Sequence, residues 1–193
     1  MNQKRNLIYN DVQKLIAHHG TRDPRTILQE RNVTLIPFKE KTKLLGMYKV
    51  ILRNKFVFFN PFIDERILNM VFAHELGHDI YHYDLAKNEE MIEYELFNIT
   101  SSTELEANLF ASHLLIDDNE LIEYIQEGKC YEELASIFNV NINLMFFKLN
   151  EMYRMGYPIN RLNVTSNSNF FLYLLFLIYI IIHKSHVAHQ LIF

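Results

Sequence analysis

His74, Glu75 and His78 fall in the pattern His-Glu-x-x-His, inside the stretch His74-Glu75-Leu76-Gly77-His78. Residues four apart on an α-helix lie on one face, so both imidazoles can address one metal ion. Glu75 lies one step round the helix. It is too far over to be a good ligand and well placed to act on a water beside the metal. Two neutral nitrogen donors with a nearby carboxylate form the arrangement that zinc hydrolases use. With 9 His and 16 Glu in 193 residues, about 0.03 such matches are expected by chance. The flanks support a helix. Ile67, Leu68, Val71 and Phe72 form an apolar stripe, Asn60-Pro61 marks a turn, and Asp64 suits the N-cap of a helix running to about His82.

A two-histidine zinc site needs a third protein ligand and an open position. The candidate segment is Thr103 to Ala111, where Glu106 shares a helical face with Leu109, Phe110 and His113. A carboxylate on an otherwise apolar face needs a partner, and a metal would supply one. Two capping boxes overlap here, Ser101-x-x-Glu104 and Thr103-x-x-Glu106. A helix starting at Ser101 gives the capping task to Glu104 and turns Glu106 inward. Glu106 is therefore the expected ligand, with Glu104 as the alternative. His82 continues the four-residue series from His74 and His78. Its expected place is beside the site or at the helix C-terminus, where the dipole favours it. An oxyanion donor is also required, and His82, His113, Tyr48 and Tyr81 are the candidates. The strand near 46–52 could hold a substrate in extended form.

Composition narrows the class. The net charge of −4 argues against a general nucleic-acid binder. Cys130 is the single cysteine, so no intramolecular disulfide can form, which suits a reducing cytoplasm. Its surroundings carry no motif and imply a half-buried structural thiol. The N-terminal residues contain no secretory apolar core.

The elements that must carry the motif follow from periodicity. Helical spacing covers 7–20, and a short helix over 24–31 opens at Asp23-Pro24. Residues 33–38, 46–52 and 55–59 read as strands, the last two joined by a turn at Arg53-Asn54. Residues 84–100 read as an acidic loop with some helix. A helix then runs from about 101–103 to Ile116, and three short ones cover 119–127, 131–138 and 142–155. This predicts an α+β fold: a small antiparallel three-stranded sheet packed on helices, a zincin-like active-site helix and a helical C-terminal part. The domain covers 1–160, followed by a polar linker and apolar tail over 161–193. Phe170 to Ile182 is unbroken apolar sequence. As a helix it would span about 20 Å, against roughly 30 Å of bilayer hydrocarbon. That favours a buried or self-associating segment over a membrane span. Leu134 to Leu149 has a superficial helix-turn-helix look. Its near-balanced charge favours packing or substrate recognition over DNA binding.

These residues resemble the ImmA/IrrE family of metallo-endopeptidases. Phe72 to His78 is similar to the family's A-H-E-L-G-H core, and Glu104 to Ala111 to its E-x-E-A-N-x-F-A segment. Asn54 to Asn60 stands where the family has a strand ending in asparagine. Leu134-Ala135, Phe138, Val140, Leu149 and Gly156 resemble its helical end. The resemblance covers roughly 8–158. It implies zinc held by His74, His78 and Glu106, with Glu75 as catalytic base. It also implies a protease of the kind often carried by phages or integrative elements, whose substrate is a helix-turn-helix repressor. Two rival readings are a regulator that binds its partner without cutting it, and a protease anchored by 170–182.

Overall fold

The computed structural model describes residues 2–93 and 101–157. The apolar run 170–182, the polar stretch before it and the histidines after it lie outside the described residues. Helix α1 (Asn2–His19) buries Ile8 and Val12. Helix α2 (Pro24–Glu30) starts where Asp23 accepts a hydrogen bond from the Thr26 amide, with Pro24 in the first turn. Strands β1 (Val33–Pro37), β2 (Gly46–Ile51) and β3 (Asn54–Phe59) precede α3 (Glu65–Tyr81), which is capped by Asp64. A single 3₁₀ turn (Leu85–Lys87) leads to β4 (Met91–Glu93). Then come α4 (Ser102–Leu115), α5 (Asp118–Gln126), α6 (Tyr131–Ile137) and α7 (Ile142–Arg154). Among the described residues, no helix is long and apolar enough to cross a membrane.

The α+β class agrees with the sequence, but the sheet does not. It has four strands in the order β1-β3-β2-β4, and β1 runs parallel to β3. The expected all-antiparallel sheet fails because the 38–45 connection carries the chain past the neighbouring position. Buried Asn60 holds that connection, donating 3.0 Å hydrogen bonds to the Thr42 and Leu44 carbonyls. The fourth strand was missed because Met91-Ile92-Glu93 is too short to show alternation. It pairs with the first half of β2, Gly46 opposite Glu93. The β2–β3 turn is Leu52-Arg53, one residue earlier than the sequence suggested. Both have positive φ, 49° and 68°, as a two-residue hairpin turn of this hand requires. The usual Asn-Gly signal is absent.

The sheet and two helices clamp α3. Asp79 is buried. It accepts hydrogen bonds from Tyr48 Oη at 2.9 Å and Arg31 Nε at 2.6 Å, and pairs with Lys55 Nζ at 3.0 Å. One carboxylate thus ties α3 to β2, to β3 and to the end of α2. A buried charge with three partners satisfies the requirement that a lone one would violate. On another face α3 crosses α4 at Gly77. A Cβ there would lie 2.9 Å from the Ala107 Cα. The two backbones therefore meet directly.

A second polar cluster ties α4 to the helical end. Fully buried Lys148 of α7 forms an ion pair with Asp118 and lies 3.3 Å from His113 Nδ1. Tyr9 Oη of α1 donates to Asp118 at 2.8 Å, and the Tyr9 ring meets His113 edge-on at 5.1 Å. Arg5 and Arg154 both pair with buried Glu151. Lys148 and Arg154 of the helical end are thus engaged in ion pairs within the protein.

Burial, followed by the Lys148 ammonium, pushes His113 down to about 3. In the unfolded chain an imidazole takes its proton near pH 6.5. The unfolded state therefore binds more protons between these values, and stability falls as pH drops through that window. From pH 7 to pH 5 the parent should lose about 2 kcal/mol more unfolding free energy than His113→Gln. Urea denaturation at the two pH values checks this, and equal losses would remove His113 as the source. A second expectation concerns the crossing. On an exposed helix Gly→Ala would stabilise by about 1 kcal/mol. Gly77→Ala should instead destabilise by about 1–3 kcal/mol, because the added methyl meets backbone. Thermal unfolding decides the sign.

Candidate metal centre

The crossing at Gly77 and Ala107 sets out the site. His74 and His78 flank Gly77 on α3, and Glu104 and Asn108 flank Ala107 on α4. The two Nε2 atoms lie 3.0 Å apart. The Glu104 carboxylate lies 3.2 Å from His74 Nε2 and 3.5 Å from His78 Nε2. Four ligands at the usual zinc distances stand roughly 3.3 Å from one another. The three separations bracket that value, so His74, His78 and Glu104 form a group that could hold a metal ion.

The carboxylate that meets the imidazoles is Glu104's, where the sequence had favoured Glu106. The helix does begin as expected, with Ser101 accepting from the Glu104 amide at 3.2 Å. The Glu104 side chain, however, turns to the histidines instead of closing a capping box. Asn108 was the overlooked signal. It is a fully buried amide in an apolar helix, one turn after Glu104 and on the same face. Its Oδ1 lies 2.8 Å from His74 Nδ1. That contact fixes His74 with its Nδ1 proton on Asn108 and its Nε2 lone pair toward the convergence point. Glu106 points instead to His82 Nε2 at 3.2 Å and to Lys4 Nζ at 2.5 Å.

Glu75 is fully buried, and its carboxylate lies under the start of β2. A Cβ on Gly46 would come within 2.6 Å of Glu75 Oε1 and 2.5 Å of Val71 Cγ1. Only glycine lets the strand lie this close. The outer side of β2 at Gly46–Tyr48 carries β4, so the strand proposed from sequence to hold substrate has both neighbours in place there.

The four candidate oxyanion donors have other partners. Tyr48 Oη donates to Asp79, and Tyr81 Oη donates to Asp11 at 3.3 Å. Burial, with Asp79 and Asp11 respectively beside them, raises both phenols well above their ordinary value. His113 belongs to the Lys148 cluster. His82 Nδ1 lies 2.8 Å from His78 Nδ1. Burial lowers both His78 and His82, and neighbouring imidazoles push His78 further down while Glu106 opposes the shift at His82. His78 and His82 are thus biased toward the neutral form, the form a metal requires of a histidine ligand. Cys130 lies apart, half-buried at the start of α6, its amide donating to Glu133 at 2.8 Å.

Known proteins share this arrangement of segments. The IrrE N-terminal-like domain of peptidase family M78 matches residues 29–150, from α2 into α7. An uncharacterized immunity region protein 2 of Bacillus phage phi105 is 31% identical over 142 residues, which cover 74% of this chain and 89% of the phage protein. Both matches span the two histidines, Glu75 and the α4 carboxylates. The chain therefore belongs to the ImmA/IrrE family of metallopeptidases, the IrrE N-terminal-like group.

Proposed function

We propose that this chain is a zinc-dependent endopeptidase that cleaves a helix-turn-helix repressor of a phage or integrative element. The observation that supports it most is the convergence of His74, His78 and Glu104 beside a buried Glu75. In this reading those three residues hold the metal. A zinc ion held there supplies Lewis acidity toward water and the scissile carbonyl. Glu75 takes the proton of the attacking water and returns it to the leaving amine. The Gly46 backbone fixes where that carboxylate stands, and the apolar surroundings of α3 keep bulk water from competing for it. Asn108 holds His74 in the ligating tautomer. Its counterpart is a phage protein whose name places it in an immunity region, which supports a repressor as the protein partner. The single cysteine suits a reducing cytoplasm.

Zinc content should be about one ion per chain, and it should be lost in His74→Ala, His78→Ala and Glu104→Gln. Metal analysis of the purified variants tests this; a Glu104→Gln protein with full zinc would remove Glu104 from the ligand set. Glu75→Gln keeps the shape and a hydrogen bond but cannot accept a proton. It should bind zinc normally and slow cleavage of the co-expressed repressor by about 10²–10⁴-fold. If it relieves repression as well as the parent, the protein acts by binding its partner and not by proteolysis.

A further inference from the structure

His78, His82 and Glu106 stand in a line that leads away from the metal centre. His78 Nδ1 faces His82 Nδ1 at 2.8 Å, and His82 Nε2 faces Glu106 Oε2 at 3.2 Å. The other Glu106 oxygen meets the Lys4 ammonium at 2.5 Å. His78 is buried within α3, and His82 is buried just past its end. Glu106 comes from α4 and Lys4 from α1, so the line joins three helices.

The positions of the protons follow from the far end. A carboxylate paired with an ammonium is ionised and can only accept, so His82 Nε2 must donate to Glu106. Two N–H groups cannot point at each other across 2.8 Å, so one of the facing Nδ1 atoms is bare. If that atom belonged to His78, its proton would sit on Nε2, where it would block a metal. With Glu106 taking the His82 Nε2 proton, His82 Nδ1 is bare and accepts from His78 Nδ1–H. The His78 Nε2 lone pair then faces His74 and Glu104.

We infer that His82 and Glu106 are positioning residues that set the tautomer and ring orientation of His78, Glu106 acting through His82 and not as a ligand. This rests on the metal centre proposed above. Asn108 performs the same task for His74 with one amide. On His78 the task takes two side chains, because the carboxylate of α4 that could reach it lies a full imidazole away. Partners of this kind are worth about 10–100-fold in metal affinity.

The test is zinc affinity of the full chain, measured by competition with a chromophoric chelator, with the visible spectrum of the cobalt-substituted protein as a second readout. His82→Ala and Glu106→Ala should each weaken zinc binding by about 10–100-fold and shift the cobalt bands. The double variant should bind no worse than His82→Ala, because residues acting in series are not additive. Glu106→Gln keeps an accepting oxygen for His82 Nε2–H, so it should recover most of the affinity and the parent spectrum. Complete loss of metal in Glu106→Gln would make Glu106 a ligand and overturn the inference. Effects of His82→Ala and Glu106→Ala that multiply in the double variant would also overturn it, as would parent affinity in both. Circular dichroism of the metal-free variants separates unfolding from lost affinity, and the conservative Glu106→Gln carries the test if either alanine variant unfolds. Unchanged zinc content in His74→Ala and Glu104→Gln would instead remove the metal centre itself, and the positioning chain with it.

Discussion

The direct backbone contact between α3 and α4 governs the rest of the site. At Gly77 there is no room for a side chain above Ala107, so the helices approach as closely as helices can. Their register is then fixed. His74 stands one turn before Gly77, and Glu104 stands one turn before Ala107. His78 and Asn108 are the next residues on the two helices. The short distances among imidazoles, carboxylate and amide follow from this one crossing. A larger residue at either position would spread the donor set beyond the reach of a single ion. The glycine between the two histidines is therefore part of the site's geometry, although it carries no functional atom.

Helix α3 must also bury polar groups on its other faces, and it matches Asp79 and the histidines to partners. Its sheet-facing side holds Asp79 against Arg31, Lys55 and Tyr48. Its α4-facing side holds the histidines against Asn108, Glu104 and His82. Such a helix has no clean division between apolar and polar faces. Asp79 and the histidines are instead matched to partners on other elements, and that matching restricts α3 to one rotation and one height. Sheet, α2 and α4 thus constrain α3 from three directions, as close placement of its donor atoms demands.

Much of this was legible in the sequence, and the failures have physical reasons. The limits of α2, α3 and α4 follow from Asp23-Pro24, Asp64 and Ser101, since capping is local chemistry. The i, i+4 histidines declare themselves because helical spacing is fixed. Sheet order does not declare itself, because β1's choice of β3 over β2 depends on Asn60 gripping a distant loop. Which carboxylate would meet the imidazoles was not legible, because both Glu104 and Glu106 satisfy a capping pattern. Their difference lies in which one shares a face with buried Asn108. The tyrosines looked available as donors because sequence does not reveal that Asp79 and Asp11 engage them.

The contacts differ sharply in how much chain they enclose. His74 and Asn108 are 34 residues apart, and His82 and Glu106 are 24 apart. Tyr9 reaches Asp118 across 109 residues, and Arg5 reaches Glu151 across 146. Closing a short loop costs less conformational entropy than closing a long one, and local contacts form sooner. The donor set is thus a short-range assembly inside a fold whose outer ties are long-range. On a chain emerging from the ribosome, α3 and α4 are complete before Asp118 or Glu151 exists to meet the N-terminal helix. The order of synthesis therefore lets the pair of helices that carries the donor set dock first and the surrounding helices close around it.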